Sequence, residues 1–467
     1  MAVFVGRTAE FAELDRQLAH ARAESGSLLA IRGRRQVGKS RMLQQWVDTR
    51  ALSYVFFTAQ RKEPDQELAA FHHDVQASNL AAAPLSRGLT FSTWDGALEL
   101  IASLATSAAP AVVVIDEFPF LMEKDASIEA TLLRAWRVLE SKPIVVILVG
   151  SDIGMMELVT HYQHPLFNRA KDLVVHPLNP RDTSALLGVE PGDAIAAYHI
   201  VGGFPGIVRD WQPGGDIWGF LRDQLSRENS DLIVTGERVT RAELPADVQA
   251  RDVLEAIGLG ERTYSQVQAR TDVQAKTLSK SLKMLTDDKR LVSTRQPYST
   301  RKASEPRYSI SDTYLRFWLH FIRTGQDEVA RGQGHLVFDR IRAQWDTYLG
   351  RAVEPLVREA VMRLATKDPD RFFGATHVGG WWNRTSSVEV DLVGGDRPDV
   401  AKNLAFVGSI KWGPAGFSDD DLRDLATQRD AVPGSTANTK LVAVAAGPLV
   451  GAPDLALTPK DLLEAWE

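Results

Sequence analysis

Four continuous runs of apolar residues in the first third of the chain predict buried β-strands. The runs lie at residues 28–31, 54–57, 111–115 and 144–149, and none of them alternates with polar residues. Uninterrupted runs of this kind are typical of strands that helices cover on both faces of a parallel sheet. Residues 1–165 are therefore predicted to form an α/β core with a parallel sheet.

The middle of the chain has a helical periodicity followed by a hairpin pattern. Residues 247–260, 263–272 and 272–292 predict three helices, and residues 290–310 predict two short strands. Three leucines repeat at i, i+4 and i+7 on the third helix: Leu278, Leu282 and Leu285. Three lysines repeat at the same spacing about 200° away around the helix axis: Lys276, Lys280 and Lys283. The pattern predicts a winged helix-turn-helix with an aromatic connector over residues 245–325.

The C-terminal part, residues 341–467, begins with a long helical pattern. Strand patterns follow at residues 388–395 and 403–412, then a helix near 418–430 and a strand at 440–446. Strand-strand-helix-strand after a helix is the core order of restriction-endonuclease-like α/β folds. The predicted fold class is therefore a multidomain α/β protein with a domain of this kind at its C-terminal end.

Composition narrows the class of protein. The chain has 467 residues, 44% of them hydrophobic and 24% charged, which is typical of a soluble globular protein of several domains. No apolar run approaches the roughly 20 residues that span a bilayer, and no signal peptide is recognisable. The absence of cysteine excludes disulfides, thiolate metal sites and a cysteine nucleophile. We expect a cytoplasmic protein with no membrane partner.

A glycine-rich segment follows the first apolar run. Gly33 to Ser40 has the pattern G-x-x-x-x-G-K-S between a predicted strand and a predicted helix, which defines a phosphate-binding P-loop. We expect Lys39 to reach the β- and γ-phosphates of ATP and Ser40 to ligate Mg²⁺. The nucleotide-binding candidates in this segment are Gly33, Arg34, Arg35, Gln36, Val37, Gly38, Lys39, Ser40 and Arg41.

Two carboxylates end the third apolar run. Asp116 and Glu117 lie where ligands bind in parallel sheets, at the carboxyl end of a strand. Asp116 is predicted to hold Mg²⁺ through water, and Glu117 to orient or deprotonate the attacking water. Ser151, after the fourth run, is predicted to touch the γ-phosphate.

These segments resemble those of the archaeal-type ATPases grouped with the STAND class, the signal-transduction relatives of AAA+ proteins. The resemblance also covers "FVGRTAE" at 4–10, "PLFNRAK" at 165–171 and "GGFPGIV" at 202–208. It implies a helical lid over residues 166–244. It also implies that Arg7 and Pro205 border the adenine, and that Arg169 stabilises γ-phosphate charge in its own subunit or in a neighbouring one.

The basic middle segment has two interpretations. Residues 261–310 hold 11 Lys or Arg and 5 Asp or Glu, a net charge of +6 in a chain whose total is −6. The lysine face of the third helix could enter a DNA groove while the wing, which carries Arg295, Arg301, Lys302 and Arg307, contacts phosphate. Alternatively, the module packs internally between domains, as in many STAND-type proteins.

The C-terminal strands carry a nuclease-like pattern with one departure. The usual site has a carboxylate at one strand end and Asp/Glu-x-Lys on the next strand. Asp391 (with Glu389 on the same strand face) and Lys411 fit this pattern, and Glu354 fits as a helix-borne ligand, but Ser409 occupies the position of the second acid. The tail also resembles the domain of unknown function that follows the ATPase in this family. A serine is a poor Mg²⁺ ligand, so two-metal cleavage is not expected.

The sequence predicts an ATP-binding and ATP-hydrolysing switch with Mg²⁺ as its metal ion. Its nucleotide state would control DNA engagement, partner recruitment or self-association. Two alternatives stay open at this point: an ATP-regulated, metal-dependent DNA nuclease, and a regulator that binds ATP and DNA without turnover.

Overall fold

The computed structural model describes residues 4–244, 248–260, 262–302 and 305–467. Its internal contacts divide the chain into two compact units, one of them Gly6–Pro177 and the other containing Leu178–Glu467. The predicted starts of the middle domain and of its first helix, at residues 245 and 247, lie outside the described residues, as do Ala303 and Ser304 of the predicted wing.

The first unit is built on a fully parallel sheet in the order β2-β3-β4-β1-β5. Its strands are β1 (Ser27–Arg32), β2 (Ser53–Thr58), β3 (Ala111–Asp116), β4 (Ile144–Gly150) and β5 (Ala170–Val174). Every residue of β3 and β4 is buried. The apolar runs at β3 and β4 therefore correspond to strands covered on both faces, whereas the edge strand β2 is only partly buried. The predicted parallel α/β sheet is confirmed.

Eight helices accompany this sheet in the described part of the unit. They are α1 (Thr8–Arg22), α2 (Lys39–Thr49), α3 (Pro64–Ala77), α4 (Ala83–Ser86), α5 (Trp94–Leu104), α6 (Phe118–Lys124), α7 (Ile128–Leu139) and α8 (Ile153–Val159). Strand β5 lies within the segment assigned to the lid from the sequence. It pairs with β1, so this sheet continues to Val174 and the unit ends at Pro177.

The second unit begins with helices and continues into a three-helix and hairpin segment. The helices are α9 (Pro180–Leu187), α10 (Pro191–Val201), α11 (Pro205–Arg209), α12 (Ile217–Leu225), α13 (Asp231–Glu243), α14 (Val248–Gly258), α15 (Tyr264–Thr271) and α16 (Ala275–Lys283). A π-helical turn, Met284–Asp288, extends α16. Strands β6 (Val292–Arg295) and β7 (Arg307–Ile310) then pair antiparallel.

The large aromatic side chains of the connector, Tyr314, Phe317, Trp318 and Phe321, are buried. The connector consists of α17 (Thr313–Phe317), a π-helical turn (Trp318–Ile322) and a 3-10 turn (Arg323–Gly325), and α18 (Gln326–Ala330) follows it. Trp318 Nε1 donates to the Ile233 carbonyl oxygen at 2.8 Å. A Cβ at Gly236 would lie only 2.1 Å from the Trp318 ring, so the connector packs directly against α13.

The C-terminal part is a mixed sheet in the order β12-β11-β10-β9-β8. Its strands are β8 (His377–Trp382), β9 (Glu389–Gly395), β10 (Leu404–Lys411), β11 (Lys440–Ala445) and β12 (Leu455–Leu457). Its helices are α19 (Gly334–Ala352), α20 (Glu354–Lys367), α21 (Asp419–Arg429) and α22 (Pro459–Leu463), and a 3-10 turn (Glu464–Trp466) ends the chain. Strands β8, β9 and β10 are antiparallel, whereas β10, β11 and β12 are parallel.

Part of the predicted wing packs against the C-terminal sheet. The Tyr298 backbone N–H donates to the Gly380 carbonyl oxygen at 2.9 Å, and the Tyr298 side chain is only 3% exposed within the core of the C-terminal sheet. Thr300 Oγ1 donates to the Pro433 carbonyl oxygen at 3.0 Å. The segment that follows β6 is therefore held by the C-terminal domain, which corrects the expectation of a wing free to lie on phosphate.

Candidate functional site

The loop between β1 and α2 has the backbone geometry of a phosphate cradle. Gly38, immediately before α2, has φ 91°, and Gln36 has φ 65°. A Cβ at Gly33 would lie 2.2 Å from the Val175 carbonyl oxygen, so only glycine fits there. The loop thus turns sharply and leads into the N-terminus of an 11-residue helix, where the helix dipole favours an anion.

Lys39 is held across this loop. Its side chain is buried, and Nζ donates to the carbonyl oxygens of Gly33 at 2.7 Å and Arg34 at 3.0 Å. These two acceptors are backbone carbonyl oxygens, and they orient the ammonium group at the loop. The lysine is therefore placed to attract phosphate oxygens at the loop.

Ser40 and Asp116 meet at the carboxyl edge of the sheet. Ser40 Oγ donates to Asp116 Oδ2 at 2.6 Å, and the Glu117 backbone N–H donates to Asp116 Oδ1 at 3.0 Å. Burial raises the pKa of Asp116 above its ordinary value, although the Ser40 and Glu117 hydrogen bonds oppose the shift. A divalent cation at this point would replace the Ser40 proton as the partner of the carboxylate.

This oxygen pair fits Mg²⁺ rather than an all-protein metal cage. The described residues contain no group of three or more His, Cys, Asp and Glu side chains arranged to hold a metal ion. Mg²⁺ is commonly held by one or two hard protein oxygens, with phosphate and water completing the octahedron. Ser40 and Asp116 supply one hydroxyl and one carboxylate, which is the donor set that such a site needs.

Glu117 has a specific partner and an unusual backbone conformation. Ser151 Oγ lies 2.9 Å from each carboxylate oxygen of Glu117 and donates to this carboxylate. Glu117 has φ 53°, in the left-handed region that is costly for a residue with a side chain. The turn points the carboxylate towards Ser151 at the end of β4. The sequence placed both residues at this edge but not their hydrogen bond.

Arg7 ties the start of the chain to the P-loop. Its Nη1 donates to the His176 carbonyl oxygen at 2.6 Å and to Glu10 Oε1 at 3.0 Å. Its Nη2 donates to the Val37 carbonyl oxygen at 2.6 Å. Arg7 therefore holds the P-loop through the Val37 carbonyl oxygen, in addition to the adenine contact that the resemblance implies.

The other predicted nucleotide residues occupy different surroundings. Arg35, Gln36 and Arg41 are exposed beside the P-loop, and Arg34 is partly exposed. Pro205 belongs to the second unit and is the first residue of α11. Gly203 lies two residues earlier, and a Cβ atom at that position would lie 2.1 Å from the Leu178 carbonyl oxygen.

Arg169 lies at the amino-terminal ends of the parallel strands, whereas the P-loop of the same unit lies at their carboxyl ends. It directly precedes β5, whose Ala170 pairs with Leu28 near the start of β1, whereas the P-loop follows the end of β1. Five residues of extended chain separate these positions by about 16 Å. The Arg169 guanidinium lies 3.9 Å from Glu140, and both side chains are half exposed.

The C-terminal candidates lie close together, but their partners differ from those of a metal site. Ile410 N donates to Asp391 Oδ2 at 2.9 Å, and Ser409 Oγ lies 3.5 Å from the same oxygen. Burial, followed by the nearby Glu354 carboxylate, raises the pKa of Asp391 to about 6. Glu354 accepts a hydrogen bond from Arg358 at 2.8 Å.

Lys411 points to a residue that sequence reasoning missed. Its Nζ lies 2.7 Å from Asp421 Oδ1, on the first turn of α21. Although burial acts in the opposite direction, hydrogen bonds from Lys411 and Ser418 lower the pKa of Asp421 to about 2. The capping-box pattern of Ser418 and Asp421 could have located this carboxylate. The lysine charge is thus balanced by a carboxylate other than Asp391.

The lysine face predicted for α16 is exposed in the structure. Lys276, Lys280 and Lys283 are exposed, whereas the three leucines at the same spacing are buried. Arg301 and Lys302 are also exposed. Among the ion pairs of the described residues, none involves these three lysines.

Comparisons with known proteins identify two domains. Residues 4–210 match the family of ATPase domains found predominantly in Archaea. Residues 318–423 match a family of archaeal and bacterial proteins of unknown function. The chain therefore carries an archaeal-type P-loop ATPase domain followed by a C-terminal domain of that second family, as the resemblance implied.

Individual relatives are distant. An uncharacterized protein of Methanocaldococcus jannaschii is 23% identical over 431 residues, covering 91% of this chain and 90% of the relative. Among solved structures, a Walker-type ATPase of Pyrococcus abyssi has 18% identity and a TM-score of 0.48, covering 68% of this chain and 96% of that one. The ORC2 protein of Aeropyrum pernix has 16% identity and a TM-score of 0.44, covering 70% and 94%. The family assignment rests on the domain matches.

Among the described residues, no helix combines the length and the apolar character needed to cross a bilayer.

Proposed function

We propose that this protein is an ATP-hydrolysing switch whose chemistry is confined to the P-loop edge of the first unit. The observation that carries the proposal is the convergence of Lys39, the Ser40–Asp116 pair and the Glu117–Ser151 pair at that edge. A phosphate-binding loop, a cation-binding pair and a separate carboxylate for water are the three parts that phosphoryl transfer to water needs.

Each side chain has a distinct task in this proposal. The loop amides and Lys39 bind and orient the β- and γ-phosphates, and Ser40 and Asp116 hold Mg²⁺. When bound, Mg²⁺ supplies positive charge to the phosphate oxygens. Glu117 accepts a proton from the attacking water, and Ser151 positions the Glu117 carboxylate until the water arrives.

Phosphate release by purified protein tests this assignment. Glu117→Gln is expected to keep ATP binding and to lower hydrolysis at least about tenfold, because the amide cannot accept a proton. Glu123→Gln is the matched control, since Glu123 lies on α6, the short helix that directly follows Glu117, but pairs with the exposed Arg61. Unchanged phosphate release in Glu117→Gln would instead favour the regulator that binds ATP without turnover.

We also propose that nucleotide state controls contact between α16 and DNA. Support comes from the three exposed lysines on one face of that helix, opposite the leucines that pack inward. The winged helix-turn-helix interpretation of this segment is retained, but with a wing that packs against the C-terminal sheet. DNA contact is accordingly assigned chiefly to the helix, and the wing's exposed Arg301 and Lys302 become secondary candidates.

DNA binding measured by fluorescence anisotropy tests this second part. Changing Lys276, Lys280 and Lys283 to glutamate is expected to weaken binding and to reduce its salt dependence, because fewer phosphates are neutralised. A control with the same change in charge alters Lys62, Arg87 and Lys171, which are exposed in the first unit. Equal losses in both triple variants would reduce the effect to net charge and contradict a site on α16.

A further inference from the structure

A small cavity in the second unit is lined by six arginines. It lies among the β6–β7 hairpin, the start of α20 and strands β8 and β9. The arginines are Arg262, Arg295, Arg307, Arg316, Arg351 and Arg358. Three carboxylates share the lining, those of Glu354, Glu389 and Asp391, so the lining carries an excess of positive charge even when all three are ionised.

Two of the arginines form ion pairs with two of the carboxylates. Arg307 donates to both oxygens of Glu389, at 3.0 and 2.5 Å, and its guanidinium lies 4.3 Å from the centre of the Trp382 ring. Arg358 donates to Glu354 at 2.8 Å and to the Asp391 backbone carbonyl oxygen at 2.7 Å. These pairs build the wall of the cavity and leave four other guanidinium groups.

The remaining four arginines have few acceptors. In the described part of the chain, the Arg316 guanidinium donates to the backbone carbonyl oxygens of Arg351 and Ala352, both at 3.4 Å, and to no carboxylate. Within the described residues, the side chains of Arg262 and Arg295 enter none of the hydrogen bonds or ion pairs. Burial, together with the neighbouring charges of Arg358 and Arg316, lowers the pKa of Arg295 to about 9.

Clustered like charges with unused N–H donors are unfavourable unless an anion joins them. Each guanidinium carries five N–H donors in a planar fork that matches the oxygens of a phosphate group. The space open to the centres of water-sized spheres is about 50 Å³. That space admits roughly three to five water molecules, comparable to the four oxygens of one phosphate group.

We propose that this cavity binds the terminal phosphate of a phosphate monoester, held by arginine without a metal ion. A monoester suits the site because its dianionic end matches the excess of positive charge and enters from one side. The ligand could be a free nucleotide or the phosphorylated end of a nucleic acid strand, since both present the same group. The site would thus occupy the position of a nuclease centre, with guanidinium groups in the place of metal ions.

Titration with inorganic phosphate in the presence of EDTA tests the proposal, with calorimetry on the full chain. The Lys39→Ala variant serves as the background, because the P-loop of the first unit is a second phosphate site. Binding is expected to persist in Lys39→Ala and to weaken about tenfold or more when Arg295→Gln is added. Arg384→Gln is the matched control, since Arg384 is 90% exposed and pairs with Glu305.

A second variant protects the test against misfolding. Arg351 is exposed at one rim of the cavity, so Arg351→Gln is expected to fold normally and to weaken phosphate binding as well. Binding that disappears in Lys39→Ala, or that requires Mg²⁺, would overturn the proposal. So would binding that is unchanged in both Arg295→Gln and Arg351→Gln.

Two further ligands distinguish the sources of the phosphate. A nucleoside monophosphate is compared with its nucleoside, and a 5′-phosphorylated oligonucleotide with its 5′-hydroxyl twin. Preference for the phosphorylated member of either pair, lost in Arg295→Gln, supports the site and identifies its ligand. Equal binding of both members in both pairs contradicts it. The outcome is independent of ATP hydrolysis, because Lys39→Ala removes the latter.

Discussion

The P-loop edge of the first unit and the Asp391 site of the second unit are built from the same three residue types. Each has an aspartate at a strand, a serine and a lysine: Asp116, Ser40 and Lys39 in one, Asp391, Ser409 and Lys411 in the other. In the first, serine donates to aspartate at 2.6 Å, whereas in the second the corresponding distance is 3.5 Å.

The partner of the lysine is the larger difference. Lys39 donates to the neutral carbonyl oxygens of Gly33 and Arg34, whereas Lys411 lies 2.7 Å from the carboxylate of Asp421. The carbonyl oxygens orient the ammonium group of Lys39 at the P-loop, whereas the Asp421 carboxylate both orients and balances the charge of Lys411. Residue type at a sheet edge is therefore a weaker guide to chemistry than the group that each charge already contacts.

The largest expected difference between the two sites is in ATP hydrolysis. Lys39→Ala is expected to lower phosphate release by about a hundredfold or more, because it removes the positive charge at the phosphates. Lys411→Ala is its matched partner and should leave the rate within about twofold, since its charge is balanced by Asp421. Similar losses in both variants, measured by steady-state phosphate release, would break the comparison.

The second effect concerns the free energy of unfolding of the C-terminal sheet, whose strand β9 carries Asp391. Tyr298→Ala is expected to destabilise the C-terminal sheet by about 3 kcal/mol, because the buried ring and its hydrogen bond to the Arg397 carbonyl oxygen are both lost. Tyr162→Ala, at a tyrosine that is 65% exposed, is the control and should change the free energy of unfolding little. Urea denaturation followed by circular dichroism measures both. Equal stability of the two variants would mean that the segment after β6 is not held by the C-terminal sheet.

A third experiment converts one site towards metal binding. Ser409→Glu adds a carboxylate beside Asp391 and is expected to tighten Mn²⁺ binding about tenfold, because each anionic oxygen strengthens a hard-cation site. Calorimetry with Mn²⁺ measures the change, and DNA cleavage is assayed alongside with wild type. Wild-type cleavage that Lys411→Ala abolishes would show instead that the site works without the acid and would support the nuclease alternative.

The smallest expected effect is at Arg169. Because Arg169 precedes β5 at the edge opposite the P-loop, Arg169→Ala should leave hydrolysis by dilute protein within about twofold of wild type. A larger loss that appears only at high protein concentration would assign the arginine to a neighbouring subunit. A large loss at all concentrations would contradict the edge assignment. Arg87→Ala, an exposed arginine of the same unit, is the control.

Local patterns determined the parallel sheet and the P-loop. The apolar runs predicted β1 to β4. Strands β3 and β4 are buried at every residue and β1 at all but its last, whereas the edge strand β2 is partly exposed. The P-loop was recognisable because its glycines are required by the backbone itself, as the 2.2 Å approach at Gly33 shows. Strand β5 was missed: its exposed Lys171 and Asp172 interrupt the apolar pattern at an edge of the sheet.

Tertiary structure decided the partners of the charged groups. The capping box marks Asp421 as a carboxylate of the first helical turn but does not give its pairing with Lys411. No local pattern indicates the pairing of Arg307 with Glu389, 82 residues away. The wing pattern likewise predicted a segment exposed to DNA, whereas its Tyr298 is buried in the core of the C-terminal sheet. A periodic pattern reports which face of an element is buried, because burial is a local average over the residues of that element. The contacts of a charge depend on which other segment folds against it, so only the folded chain shows that Lys39 contacts the carbonyl oxygens of the P-loop and Lys411 the carboxylate of Asp421.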